Sequence, residues 1–122
     1  MNQQSILIVD DNPTNLMILE ELVHLVGFAN TQSESDPRVA LDIIKTRYYD
    51  ILLIDQNMPY ITGLEFLKQL HASGAKAPKL AIMITAVHDE RLRSEAIEAG
   101  FTTLLPKPYQ LSQLRDILIT SR

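Results

Sequence analysis

Five times along the chain a short apolar run is followed by a stretch of helical periodicity, and this alternation limits the fold more than any other feature. The runs are Ile6–Val9, Phe28–Gln32, Ile51–Ile54, Leu80–Ile84 and Thr102–Leu105. After the first run, Leu16, Leu19, Val23 and Val26 recur at spacings of three and four, and Gly27 stops the helix they define. Asp36 as N-cap and Pro37 at the first helical position open a second helix, with Ala40, Ile43 and Ile44 as its inward stripe. Leu64, Leu67 and Leu70 mark a third helix ending near Ser73–Gly74. Leu92, Ala96 and Ala99 mark a fourth, closed by Gly100, and Leu111, Leu114, Ile117 and Leu118 mark the last. Strands alternating with helices of this length pair in parallel through right-handed crossovers. The fold class is α/β. With 122 residues and neither linker nor low-complexity segment, residues 1–122 read as one domain, free-standing or cut from a longer chain.

Polarity orders the strands. The first, third and fourth runs are continuous Ile, Leu, Val or Met, as expected where helices cover both faces of a strand. The second and fifth are half polar and suit the edges, which gives the order 2-1-3-4-5. The winding then reverses between strands one and three. Ligands of open α/β sheets bind at such a switch point, beyond the carboxyl ends of the strands. The residues after Val9 and Ile54 are therefore the functional candidates.

Charge and composition exclude several classes. Eleven basic against 15 acidic side chains leave a formal charge of −4, which argues against a general grip on nucleic acid. Without cysteine there is neither a disulfide framework nor a thiolate metal site. No apolar run approaches membrane-spanning length and no signal-peptide pattern opens the chain, so a cytoplasmic protein without membrane insertion is expected.

Asp10 and Asp11 follow the first run, Asp55 the third, Thr85 the fourth and Lys107 the fifth. Alone, each has an ordinary reading: a strand-end Asp is commonly a helix cap, a Thr a turn residue, a Lys before Pro a solvated charge. Together they deliver three carboxylates, a hydroxyl and an ammonium to one place. Such carboxylates repel unless a cation sits among them or one stays protonated. A hard ion held by carboxylates and waters fits Mg²⁺, with Mn²⁺ as an alternative, and leaves room for a phosphate oxygen. The hydroxyl and ammonium suit the remaining phosphoryl oxygens, and the chemistry indicated is phosphoryl transfer onto a carboxylate. The histidines His24, His71 and His88 share no metal-ligand spacing.

Ile6-Leu7-Ile8-Val9-Asp10-Asp11, Asp55-Gln56-Asn57-Met58-Pro59 with Gly63, Thr85-Ala86 and Lys107-Pro108 resemble the receiver domain of two-component response regulators, over Ser5 to about Thr120. The resemblance implies a flavodoxin-like (βα)5 doubly wound sheet of five parallel strands with helices on both faces. It implies Asp55 as phosphoacceptor, served by a sensor histidine kinase or histidine phosphotransfer protein. Asp11 and Asp55 would bind Mg²⁺ through carboxylates, Asn57 through its backbone carbonyl, and Asp10 directly or through a water. Thr85 and Lys107 would hold phosphoryl oxygens, and a cis peptide would precede Pro108. Leu104 stands where the family usually carries its switch aromatic, and Thr102-Thr103 where one dimerising subfamily has an acidic pair. Val87, two residues past Thr85, cannot orient a water, which implies slow self-dephosphorylation. Two other functions stand beside this one. One is an interaction module that no longer takes up phosphate. The other is a haloacid-dehalogenase-type phosphatase using Asp10, since Asp10-Asp11-Asn12-Pro13-Thr14 partly matches that motif, although Asn12 occupies the general-acid position. Flavin binding is disfavoured by the acidic, glycine-free loop from Asp10 to Pro13.

Overall fold

The computed structural model describes residues 3–87 and 89–120, so His88 lies outside the described residues. The chain runs β1 (Ile6–Val9), α1 (Pro13–Val26), β2 (Thr31–Glu34), α2 (Pro37–Thr46), β3 (Ile51–Asp55), α3 (Gly63–Ala72), β4 (Leu80–Thr85), α4 (Glu90–Ala99), β5 (Thr103–Pro106) and α5 (Leu111–Thr120). All strands pair in parallel in the order β2-β1-β3-β4-β5, as their polarity requires. Every residue of β1, β3 and β4 is buried, whereas β2 and most of β5 are half-buried at the edges. Because side chains alternate across a strand, Leu7, Val9, Leu52, Ile54, Ala81 and Met83 face α2, α3 and α4. Ile6, Ile8, Ile51, Leu53, Leu80, Ile82 and Ile84 pack on the opposite face, under α1 and α5. Each such fully buried Leu or Ile contributes about 2 kcal/mol relative to exposure.

Local chemistry sets the helix starts. The Asn12 side chain accepts the N–H groups of Thr14 and Asn15 at 2.9 and 3.1 Å, and Pro13 begins α1. Asp36 caps α2 ahead of Pro37. Thr62 and Glu65 form a reciprocal capping box on α3, with Thr62 N–H donating to Glu65 at 2.9 Å and Glu65 N–H to the Thr62 hydroxyl at 3.1 Å. Among the described residues, no helix is long and apolar enough to cross a membrane.

Several elements depart from the periodicity. The second strand begins at Thr31, three residues later than Phe28. Gly27 takes φ 115° as the left-handed cap of α1, and the Phe28 N–H turns back to the Val23 carbonyl at 3.2 Å. Phe28 therefore finishes the cap and fills the core beneath α1, and the ladder opens only with Ile6 opposite Thr31. The third and fourth strands each run one residue further than their apolar stretch, so Asp55 and Thr85 are the last residues of β3 and β4. β5 starts at Thr103, because Thr102 spends its hydroxyl and N–H on the backbone of Ala81. The stripe of α2 is Pro37, Ala40, Leu41 and Ile44, with Ile43 at its rim. Phe66, missed by the leucine spacing, is buried in α3, and Leu111 is 37% exposed at the start of α5.

Gly63 opens α3 against the backbone of the strand before it. A Cβ there would meet the Asp55 carbonyl oxygen at 2.8 Å and Gln56 Cα at 3.3 Å. Helix propensity alone makes Gly63→Ala stabilising by about 1 kcal/mol. The close approach reverses the sign: Gly63→Ala is expected to cost about 1–3 kcal/mol, read as a lower urea midpoint at unchanged slope.

Candidate functional site

β1 ends in Val9; Asp10 comes next, its N–H reaching the Glu34 carbonyl of β2 at 3.4 Å, and Asp11 follows at the surface. β3 carries Asp55 to the same edge, and β4 carries Thr85. β5 ends at Pro106, leaving Lys107 next in line, with its N–H held by the Thr85 carbonyl at 2.8 Å. Four strands thus bring their end residues to one hollow. Asp10, Asp55 and Thr85 are 4%, 6% and 2% exposed, the only buried polar or charged residues of the described chain.

One carboxylate oxygen from each of Asp10, Asp11 and Asp55 lies within 4.8 Å of the other two. Ionised together they repel, most strongly the buried pair of Asp10 and Asp55, where solvent screens least. Lys107 Nζ approaches Asp55 Oδ1 at 2.7 Å and neutralises part of this charge. Burial, more than any other cause, pushes the Asp10 carboxyl above its ordinary value. The nearby charges of Asp55 and Asp11 add to the rise, while the Asn12 N–H at 3.0 Å and Lys107 oppose it. The Tyr109 hydroxyl is also raised, by burial first and then by Asp10 and Asp55. A net-negative set of hard oxygen donors, two buried and one open to solvent, is the chemistry that fits a divalent cation such as Mg²⁺.

The remaining residues singled out from the sequence fall around this hollow. The Thr85 hydroxyl accepts the Val87 N–H at 3.1 Å and still has a hydrogen to donate. Leu104 is partly buried and lines, with Thr85, Val87 and Pro106, a cavity of 160 Å³ between β5 and α4. The Lys107–Pro108 peptide is cis. Asn57 is exposed in the loop that follows β3. His24 and His71 stand apart from the site: His24 pairs with the Thr31 hydroxyl at 3.0 Å, and His71 lines a cleft between α3 and α4.

Sequence reasoning missed three contributors. Gln56 closes the loop after β3, taking the Leu64 N–H on its side chain at 2.9 Å and the Gly63 N–H on its carbonyl at 3.1 Å. Tyr109 lies beside Lys107 and Ile18 in a 420 Å³ cavity opening next to Asp10. Arg38 stacks over the Tyr60 ring, 3.7 Å from its centroid. No periodicity announces these contacts, because each depends on how a loop meets a helix.

The fold and sequence can be set beside those of known proteins. The family model for the response regulator receiver domain matches residues 6–119. The chemotaxis protein CheY-3 of Vibrio cholerae is 34% identical over 113 residues, which cover 93% of this chain and 87% of that protein. A solved CheY-like response regulator receiver domain from Methylobacillus flagellatus superposes with a TM-score of 0.86 at 30% identity, covering 99% of this chain and 100% of that one. The receiver domain of the sensor histidine kinase PA1611 from Pseudomonas aeruginosa, solved with a magnesium ion coordinated in its active-site cleft, gives a TM-score of 0.82 at 26% identity. That match covers 96% of this chain and 95% of the other. An acidic hollow at the switch point of a 2-1-3-4-5 sheet, matched over nearly the whole length, makes this chain a member of the response regulator receiver domain family of two-component systems.

Proposed function

We propose that Asp55 is the phosphoacceptor of this receiver, taking its phosphoryl group from the phosphohistidine of a sensor histidine kinase or a histidine phosphotransfer protein in the cytoplasm. The observation that carries this reading is the 2.7 Å contact of Lys107 with Asp55 inside a cluster of three carboxylates. Asp55 Oδ attacks phosphorus, the P–N bond to the donor imidazole breaks, and the product is an acyl phosphate. Asp11 and Asp55, with the Asn57 backbone carbonyl and Asp10 directly or through a water, would hold Mg²⁺ or Mn²⁺. Such an ion supplies charge neutralisation and polarisation of the phosphoryl group. Lys107 holds Asp55 in place beforehand and then meets the incoming negative charge, and Thr85 offers its hydroxyl hydrogen to another phosphoryl oxygen. The domain is a signalling module whose own chemistry is limited to phosphate uptake and slow loss. The output it controls is a partner or a further domain.

Treatment with acetyl phosphate or beryllofluoride and Mg²⁺, followed by mass mapping, tests the assignment. Wild type gains the adduct on Asp55 and Asp55→Asn gains none. A modification mapped to Asp10 would instead favour the phosphatase-like alternative, and no modification at all would favour an interaction module.

Val87 flanks the approach to the phosphoryl group at 42% exposure and offers no polar atom. Val87→Glu or Val87→Gln is expected to speed phosphate loss about tenfold or more by orienting a water, measured as the half-life of the phosphorylated form.

The raised Asp10 carboxyl carries a sign for stability. An acid whose folded value exceeds its unfolded one penalises the fold on ionisation; the penalty is complete above the folded value and gone below the unfolded one. Metal-free Asp10→Asn is therefore expected to melt higher than wild type at neutral pH, by about 4 °C per 1 kcal/mol relieved. The gap closes as the pH falls toward about 4. Mg²⁺ raises the wild-type melting temperature by mass action, and raises that of Asp10→Asn less.

A further inference from the structure

The loop after β3 is pinned at both ends, and between them Met58 packs against the core. At its start, the Gln56 N–H bonds the Ile84 carbonyl at 3.0 Å. At its end, Ile61 is 9% exposed in the core and Thr62 caps α3. Asn57, Met58, Pro59 and Tyr60 span the gap, and all but Met58 are exposed. Beyond Met58, their path is set by one tight turn. The Ile61 N–H bonds the Pro59 carbonyl at 2.9 Å around Tyr60, whose φ is 73°. This is the strained form of the γ-turn, in a region that bulky L-residues avoid.

Tyr60 gains no compensation from burial, since it is 71% exposed. Its ring instead lies under the Arg38 guanidinium, 3.7 Å from centroid to Cζ. Arg38 is itself fixed. Its Nε donates to Asp36 Oδ1 at 3.2 Å and its Nη2 to Oδ2 at 3.1 Å, while its backbone N–H donates to Oδ1 at 2.9 Å. Asp36 is the N-cap of α2 and precedes Pro37, so the fork is anchored to a stiff helix start. A chain of contacts therefore runs from the first turn of α2, through the stacked cation, to the turn three residues after Asn57.

We propose that the Arg38–Tyr60 stack is a clasp that aims the Asn57 backbone carbonyl at the acidic hollow and so sets the affinity of that hollow for a divalent cation. Arg38 and Tyr60 are positioning residues: they act through the backbone of the loop. The inference rests on Asn57 serving as a carbonyl ligand, the reading given above.

Calorimetric titration of the full chain with Mg²⁺ alone, paired with metal-free thermal melts, tests it. Arg38→Ala is expected to weaken Mg²⁺ binding about tenfold, the lower end for groups that orient metal ligands. Tyr60→Phe keeps the ring face and binds as wild type does. Tyr60→Gly weakens binding by a similar factor while its melting temperature holds or rises, because glycine takes φ 73° without strain. The double variant Arg38→Ala/Tyr60→Gly loses no more than either single change, since both break one contact. Wild-type affinity in Arg38→Ala and Tyr60→Gly overturns the clasp alone. So does a loss in Tyr60→Gly accompanied by a matching fall in melting temperature, which marks a merely structural role. If wild type takes up no Mg²⁺, or Asp11→Asn binds as tightly as wild type, the reading of the metal site fails and the clasp falls with it.

Discussion

Parallel pairing is the constraint on which everything else in this domain depends. Because all five strands run the same way, whatever follows each of them emerges on the same edge of the sheet. Asp10, Asp55, Thr85 and Lys107 come from positions spread over almost the whole chain, yet no long-range design is needed to unite them beyond the register of the ladders. Thr85 sits opposite Pro106, which delivers Lys107 one residue later beside the hollow that Asp55 enters from the neighbouring strand. The helices complete the device by burying both faces of the three central strands, so the carboxylates at their ends sit at the rim of a dry core.

The two edges of the sheet treat acidic residues in opposite ways. At the amino end, Asp50 accepts the backbone N–H of Ser5 at 2.9 Å and its hydroxyl at 3.2 Å, and its own N–H goes back to the Ser5 oxygen at 3.1 Å. Two donors on one oxygen of that carboxylate tie the start of β1 to the start of β3. At the carboxyl end, Asp10 has one backbone donor and Asp55 one ammonium, with like charges on their other sides. The same residue type serves as a rivet at one edge and as stored repulsion at the other. The difference lies in how many donors the local backbone turns toward it.

Much of this was legible in the residues. The strand order followed from which runs were wholly apolar, and β2 and β5 do occupy the edges. Strand-end polarity located the hollow, since Asp55 and Thr85 are the sole polar residues of the otherwise apolar β3 and β4. Where the reading slipped, side chains served a cap instead of a pattern. Phe28 looks like the start of a strand because it is apolar, but Gly27 hands it to the helix before it. Leu41 and Phe66 belong to stripes whose phase is set by Pro37 and Gly63, residues that hydrophobic spacing does not count. Arg38 and Tyr60 left no trace at all, because a guanidinium on a helix start meeting a ring on a distant loop has no period. Their order in space comes from an N-cap and a left-handed turn acting together.

The missing side chain at position 63 has a mechanical meaning. With the first turn of α3 seated directly on the carbonyl of Asp55, there is no compressible layer between the end of that strand and the helix axis. Strand end and helix start therefore share one incompressible joint, from which α3 runs about 15 Å at 1.5 Å per residue to Ser73 and the cleft that His71 shares with α4.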